Sequence, residues 1–139
     1  MISVREKVRF VETDMMGVVH HANYFRWFEM GRVEYMRQGG VLLLALMAEG
    51  IVFPISDVSC QYRASARFDD QFLIETTMTD LSKVKMVFSY RILREADGLL
   101  LASGQTRNGF TDFTGKIIRL PDKYYTGLQA MFARETDNN

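Results

Sequence analysis

The stretch ETDMMGVVHHANYFRWFEMG, residues 12–31, joins a polar loop directly to a segment rich in aromatic residues. Its first half brings a carboxylate, a glycine, two adjacent histidines and an asparagine close together in the chain: Asp14, Gly17, His20, His21 and Asn23. Long connections in compact domains are often functional, because loops carry binding and catalytic groups on a rigid scaffold. The function therefore depends on how this loop meets the segment behind it.

A helix is predicted for residues 24–37. Aromatic and small residues recur there at spacings of three and four, which is the period of one helix face: Tyr24, Trp27, Phe28, Gly31 and Tyr35. The other positions are also unusually apolar, so we expect the helix to be covered on most sides. The pair Gly39–Gly40 ends it, and residues 41–50, VLLLALMAEG, predict a second, short helix.

Period-two alternation predicts most of the remaining elements as strands. The segments are 3–12, 51–65, 71–81, 84–94, 99–114 and a short return at 116–120. Asp97–Gly98 predicts a hairpin turn, because this pair tolerates positive φ. Pro54 predicts that its strand begins at a sheet edge. A last helix is expected from Pro121–Asp122 to about Arg134, with a polar tail from about residue 135.

This order of elements predicts an α+β fold in which an antiparallel sheet wraps around the first helix. The length of 139 residues fits one domain, residues 1–139. Long apolar strands leave edges that favour pairing with another chain, so we expect a homo-oligomer.

Composition argues against several other classes of protein. Lys and Arg number 17, as do Asp and Glu, so no net field attracts nucleic acid or an anionic membrane. The longest apolar run, residues 41–48, is too short to span a bilayer, and the charged first ten residues do not resemble a secretion signal. The single Cys60 forms no internal disulfide. A cytoplasmic location is expected, without membrane insertion.

The loop has two interpretations. Asn23 is the predicted N-cap of the helix, which would bring oriented backbone donors close to Asp14. A carboxylate beside such donors suits acyl transfer, since the donors polarise a carbonyl that the carboxylate attacks or delivers water to. Alternatively, Asp14 only caps a turn and the histidines only pack. The residues alone leave both interpretations open.

A family resemblance enters through residues 10–37, FVETDMMGVVHHANYFRWFEMGRVEYMR. They resemble hotdog-fold thioesterases of the 4-hydroxybenzoyl-CoA thioesterase type, and most of all the small bacterial acyl-CoA thioesterases associated with the Tol–Pal cluster. The family pattern T-D-x-x-G-V-V-x-H-A-N-Y is matched by Thr13, Asp14, Gly17, Val18, Val19, His21, Ala22, Asn23 and Tyr24. Weaker similarity continues at 53–76, 97–112 and 117–124, so it covers nearly the whole chain.

The resemblance implies a sheet of five or six strands around the long helix, in a dimer or tetramer with active sites at the subunit interface. It implies hydrolysis of acyl-CoA thioesters without metal or cofactor. Asp14 is then the nucleophile or general base, and the backbone N–H of His21 polarises the thioester carbonyl. Met15 and Met16 depart from the small residues or proline common in relatives, which leaves the acyl preference open.

Further residues are candidates for binding the substrate. The candidates lie in the loop or on the helix: Gly17, Asn23, Tyr24, Trp27 and Glu29. A stripe of aromatic residues on a helix is more often core than pocket, which favours the core for Tyr24 and Trp27, and N-capping explains Asn23 equally well. Glu12 is expected to be solvated or ion-paired. Coenzyme A carries three phosphates, and the candidates for holding them are Lys83 and Lys85. Further candidate cations are Arg63, Arg67, Arg107 and Arg119.

Three alternatives compete with hydrolysis. A metal site at His20 and His21 lacks an evident third ligand. Hydratases of the same fold need a G-D-x-N-P-x-H-like segment, which this chain lacks. A non-catalytic module that binds acyl-CoA or acyl-carrier protein and acts through protein partners remains the alternative to an enzyme.

Overall fold

The computed structural model describes residues 1–137. Its strands are β1 Ile2–Lys7, β2 Ile55–Tyr62, β3 Gln71–Leu81, β4 Lys85–Arg94 and β5 Leu100–Gly109. They form one antiparallel sheet in the order β1-β3-β4-β5-β2. The helices are α1 Ala22–Gln38, α2 Leu43–Ala48 and α3 Asp122–Asp137, and a 3-10 turn, Phe10–Glu12, follows β1.

Helix α1 packs against one face of this sheet. Alternation in the central strands buries every second side chain there: Phe72, Ile74, Thr76 and Met78 on β3, and Met86, Phe88, Tyr90 and Ile92 on β4. The Trp27 ring lies 4.1 Å from that of Phe72, and Phe28 stacks on Tyr90 at 4.4 Å. Gly31 permits the close approach, because a Cβ there would overlap Thr76 Oγ1. The predicted α+β architecture, with a five-stranded sheet on the long helix, is confirmed.

Several predicted boundaries are wrong. β1 ends at Lys7 rather than residue 12. Val8 still exchanges backbone hydrogen bonds with Asp69 and Asp70, but the opposite chain turns at Asp69, whose φ is 73°, and the ladder stops there. β5 ends at Gly109, and the expected return at 116–120 contributes only a bridge between Ile117 and Thr111.

The other differences lie at the remaining element ends. β2 begins at Ile55 instead of residue 51, with Val52 bridged to Thr111. α3 continues to Asp137, past the expected end near Arg134 and into the segment expected to be a polar tail. Its residue Glu135 accepts a hydrogen bond from the Met78 N–H at 3.2 Å, which holds this end of the helix on the sheet. Within residues 1–137, no helix has the length and apolar character needed to cross a membrane.

Candidate active site

The loop between the 3-10 turn and α1 folds into a tight hairpin around Gly17. The Asp14 N–H donates to the Val18 carbonyl at 2.8 Å, and the Gly17 N–H donates to the Asp14 carbonyl at 3.1 Å. Gly17 has φ of 74°, the left-handed region that favours glycine. Thr13 and Val19 form a bridge just outside this hairpin. The loop is therefore ordered by its own backbone hydrogen bonds.

Asp14 presents its carboxylate from this hairpin toward solvent. Its Oδ1 accepts the N–H of Met16 at 2.8 Å and that of Val18 at 3.2 Å. Among the residues that the structure describes, Oδ2 accepts no hydrogen bond. Asp14 thus caps its turn, as one interpretation of the sequence held, and the same contacts leave one carboxylate oxygen free.

A second segment holds the hairpin in place. The Val19 N–H donates to the Ala66 carbonyl at 2.8 Å, and the Phe68 N–H donates to the Gly17 carbonyl at 3.2 Å. The Phe10 ring meets that of Phe68 edge to face, with 5.8 Å between centroids. The loop is fixed on both sides by backbone and ring contacts.

Glu12 ties the loop to α1. Glu12 is 3% exposed, and its carboxylate accepts the Arg9 N–H at 2.7 Å and the Trp27 indole N–H at 3.1 Å. Its backbone carbonyl accepts the His20 N–H at 2.9 Å and the Asn23 side-chain amide at 3.1 Å. Glu12 is ion-paired with Arg9 and also with Arg26, each at 3.7 Å, but its burial and anchoring contacts were missed from the sequence.

The helix begins differently from the prediction. Its N-cap is His21, not Asn23, and the His21 side chain makes no capping hydrogen bond. Asn23 lies in the first turn of α1, because its amide is used to bind the Glu12 and His20 carbonyls, the latter at 3.4 Å. Within residues 1–137, the His21 N–H has no hydrogen-bond acceptor. An unbonded donor therefore stands at the positive end of α1.

His21 contacts a residue that no sequence pattern singles out. Its ring stacks on Tyr62 with 4.0 Å between centroids and 14° between planes. The Tyr62 hydroxyl donates to the His21 carbonyl at 3.3 Å. Desolvation raises the pKa of Tyr62 to about 12, which keeps this hydroxyl a donor. Tyr62 ends β2, forty-one residues away in the chain, so no local pattern marks the contact.

Tyr24 and Trp27 lie in the interior of the chain. Each is buried, and their rings meet at 4.8 Å. Tyr24 also lies 5.1 Å from the Tyr62 ring. Both pack as core residues in the single chain, and their contact with substrate stays a prediction.

Glu29 lies apart from the loop. It is exposed and lines a cavity of about 400 Å³ between α1, the start of α2 and residues 52–55. Asp14, Gly17 and His21 do not line this cavity. The structure therefore gathers Asp14, Gly17 and His21 in one loop, while Glu29 lines a separate cavity beside α1.

The two lysine candidates are engaged by carboxylates. Lys83 pairs with Asp122 at 2.6 Å, and Lys85 pairs with Asp80 at 2.9 Å. Lys85 also lines a groove of about 430 Å³ together with Arg107. A role for either lysine in binding phosphate stays a prediction, with Arg107 beside Lys85 as the second cation.

A metal centre has no ligand set in the described part of the chain. Residues 1–137 contain no group of three or more His, Cys, Asp or Glu side chains placed to hold an ion. The two histidines are adjacent, and the His21 ring is stacked on Tyr62. The chemistry of the loop is that of a carboxylate and backbone donors.

An antiparallel sheet packs on a long helix, and a loop that carries a carboxylate leads into that helix. This is the arrangement of hotdog-fold thioester hydrolases. The chain belongs to the thioesterase-like superfamily, whose model matches residues 8–130. It is 36% identical over 94 residues to the acyl-CoA thioester hydrolase YbgC of Escherichia coli, covering 68% of this chain and 70% of that protein.

Solved structures show the same fold. The DHNA-CoA thioesterase of Staphylococcus aureus superposes with a TM-score of 0.86 at 29% identity, covering 97% of this chain and 90% of its own. A Thermus thermophilus protein superposes with a TM-score of 0.85 at 36% identity, covering 93% and 98%. The hotdog family expected from the sequence motif is thereby confirmed.

Proposed function

We propose that this protein hydrolyses acyl-CoA thioesters, with Asp14 as nucleophile or general base and the His21 N–H polarising the carbonyl. The observation that carries the proposal is the loop itself. It exposes one free oxygen of the Asp14 carboxylate, and it leads directly into α1, where the His21 N–H is unbonded within the described residues. A fixed carboxylate and a fixed donor are what acyl transfer requires.

Two routes fit this pair of groups. As nucleophile, an Asp14 oxygen attacks the thioester carbon and expels the coenzyme A thiolate, and water then hydrolyses the resulting anhydride. As general base, Asp14 takes a proton from a water that attacks the same carbon, and that proton ends on the departing thiolate. Either route yields a free carboxylic acid and a thiol. In both, the negative charge developing on the carbonyl oxygen is stabilised by the His21 N–H and the helix dipole.

The relatives support coenzyme A thioesters as the substrate class. The Escherichia coli relative is an acyl-CoA thioester hydrolase, and the Staphylococcus aureus protein is a DHNA-CoA thioesterase. Lys83 and Lys85 remain the candidates for holding the coenzyme A phosphates, and Arg107 beside Lys85 adds a second cation to one groove. Binding there would require phosphate to compete with Asp80 and Asp122 for the lysines.

We also propose that the active protein is a homodimer or homotetramer that pairs through β2, with its active sites at the subunit interface. β2 is an edge strand, and seven of its eight residues are exposed. Ile55, Val58 and Tyr62 project apolar surface from it. Tyr62 also contacts His21, so a second copy on this edge would lie beside the proposed site.

The test is thiol release from a panel of coenzyme A thioesters, from acetyl to palmitoyl and including benzoyl, for the wild type and Asp14→Asn. Asn is a matched replacement, since its side-chain oxygen can still accept the Met16 and Val18 N–H groups and keep the turn. We expect kcat to fall by roughly 10²- to 10⁴-fold with the melting temperature unchanged. Near-wild-type turnover by Asp14→Asn would refute its role. Thioester binding without turnover of any substrate would instead favour a non-catalytic module.

A further inference from the structure

Arg32 is a buried cation without a counter-ion in the described chain. It lies on α1 and is 5% exposed. Its Nε and Nη1 have no hydrogen-bond partner among residues 1–137, and no ion pair there includes it. Most buried polar groups in proteins are bonded, so these free donors call for an explanation.

The Tyr90 hydroxyl, which lies within hydrogen-bonding reach of the Arg32 guanidinium, is neutral. Burial raises the pKa of the Tyr90 hydroxyl, while the nearby Arg32 charge opposes that rise. The Tyr90 hydroxyl already shares a hydrogen bond of 2.5 Å with Thr106. A neutral phenol does not compensate a buried charge, and leaving such a charge unpaired is costly. The missing partner should therefore be an anion that reaches Arg32 from outside the chain.

The cavity lined by Arg32 offers that anion a route. Its other walls are almost entirely apolar: Val33, Leu43, Val52, Phe53, Pro54 and Ile55. The wall at Phe53 is fixed, because the buried Asn108 amide donates to the Phe53 carbonyl at 2.7 Å. The volume of about 400 Å³ lies in the range of small-molecule sites. An apolar cavity with one buried cation suits an apolar chain that ends in an anion.

Glu29 is the other charged residue of the cavity. It is exposed, so water screens its carboxylate, and the structure has no ion pair between it and Arg32. The difference in burial favours the guanidinium as the stronger electrostatic influence on a ligand bound against it. A carboxylate-ended chain would pass Glu29 near the solvent and pair with Arg32 inside.

We propose that this cavity receives the distal end of the acyl group and that Arg32 pairs with a carboxylate there, so that preferred substrates are monothioesters of dicarboxylic acids. The inference rests on the proposed thioester hydrolysis. His21 and Arg32 are separated by about 16 Å along α1 at the helical rise per residue. Side chains on a helix generally lean toward its N-terminus, so a guanidinium can lie closer to His21 than its own Cα does. The distance from His21 to the Arg32 guanidinium therefore fits a medium-length acyl chain rather than an acetyl group.

The test compares coenzyme A thioesters that differ only at the distal end, such as suberoyl with octanoyl and sebacoyl with decanoyl. We expect the wild type to favour the carboxylate-ended member in kcat/KM. In Arg32→Met, we expect that preference to fall by about tenfold or more, mainly through KM. Arg37→Met is the matched control, since Arg37 lies on the same helix, is exposed and pairs with Glu34. It should keep the wild-type preference.

A binding measurement separates this inference from the proposed function. Suberate should raise the melting temperature of the wild type more than octanoate does, and Arg32→Met should lose the difference. If no thioester is turned over, hydrolysis fails while this measurement still tests the cavity. Equal kcat/KM for carboxylate-ended and methyl-ended thioesters would overturn the inference. So would a wild type that prefers hydroxybenzoyl to benzoyl thioesters but shows no preference for a distal carboxylate. A marked loss of stability in ligand-free Arg32→Met would also overturn it, because Arg32 would then have a protein partner, such as a second copy.

Discussion

The carboxylate of Glu12 accepts the indole N–H of Trp27 at 3.1 Å, and this buried contact fastens the loop carrying Asp14 to the inner face of α1. The Glu12 carbonyl also accepts the His20 N–H just before the helix begins. One residue thus holds the loop at both its ends. The relative positions of Asp14 and His21 depend on it, although Glu12 itself does not line the loop's exposed side.

Replacing Glu12 by Ala should therefore lower both stability and activity. The change leaves the Trp27 indole N–H and the Arg9 N–H without their acceptor, which should cost roughly 2–3 kcal/mol of unfolding free energy. Urea unfolding measures this loss. Glu34→Ala on the same helix is the control, because its exposed pair with Arg37 is worth about 1 kcal/mol or less. Equal losses in the two variants would contradict an anchoring role for Glu12.

Gly17→Ala should distort the hairpin that presents Asp14. No atom lies within 4 Å of the added Cβ, so the cost comes from the backbone at φ of 74°, about 1–2 kcal/mol. Gly98→Ala is a matched control, since Gly98 has φ of 69° and equally open surroundings in the β4–β5 turn. Both variants should lose similar stability in urea unfolding. Only Gly17→Ala should also slow thioester hydrolysis, and equal hydrolysis rates would show that the hairpin does not matter for the reaction.

The parts of the fold that the sequence predicted well depend on local pattern. β3 lies at residues 71–81 as alternation indicated, and Gly98 adopts the positive φ expected of an Asp-Gly turn. The errors lie where distant segments decide. Lys7 ends β1 because the opposite chain turns at Asp69, and Asn23 gives up the N-cap position because its amide reaches the Glu12 carbonyl.

In the candidate site, too, the features that are local in sequence were predicted and those that depend on distant segments were not. The motif identified Asp14, Gly17 and His21, which are close in sequence and lie in one loop. It could not identify Tyr62, whose contact with His21 crosses forty-one residues, or the burial of Glu12 under Trp27. Arg32 also escaped notice, because a charged residue on a helix gives no sign of being buried. Such features arise from tertiary packing, which period and spacing do not encode.

Tyr35→Phe should stabilise the protein. The Tyr35 hydroxyl is fully buried and has no hydrogen-bond partner among residues 1–137, since the nearby Met78 N–H donates to Glu135. Removing an unsatisfied hydroxyl should raise the unfolding free energy by about 1 kcal/mol at neutral pH. Thermal and urea unfolding measure the change. A lower melting temperature for the variant would mean that the hydroxyl has a partner.

The same residue predicts a pH dependence. Burial raises the pKa of Tyr35 to about 12, whereas the unfolded chain has the ordinary value near 10. Between these values the folded state retains a proton that the unfolded state loses, so stability is fully present below pH of about 10 and falls as pH rises toward 12. Tyr35→Phe should make this alkaline loss less steep. Part of the slope should remain, because the pKa of Tyr62 is also raised to about 12.

Val58→Lys should weaken the proposed association through β2. Val58 is 40% exposed in the single chain, on an edge strand that pairs, within residues 1–137, with β5 alone. A lysine there would have to be desolvated between two copies, so the variant should shift toward monomers while the wild type sediments as a dimer or tetramer. Sedimentation equilibrium at matched concentrations measures this shift in mass.

Leu99→Lys is the control, since Leu99 is similarly exposed but lies in the β4–β5 turn. A monomeric wild type, or an unchanged mass for Val58→Lys, would contradict association through β2. If dissociation abolishes hydrolysis while Leu99→Lys remains active, the active site is completed by the second copy.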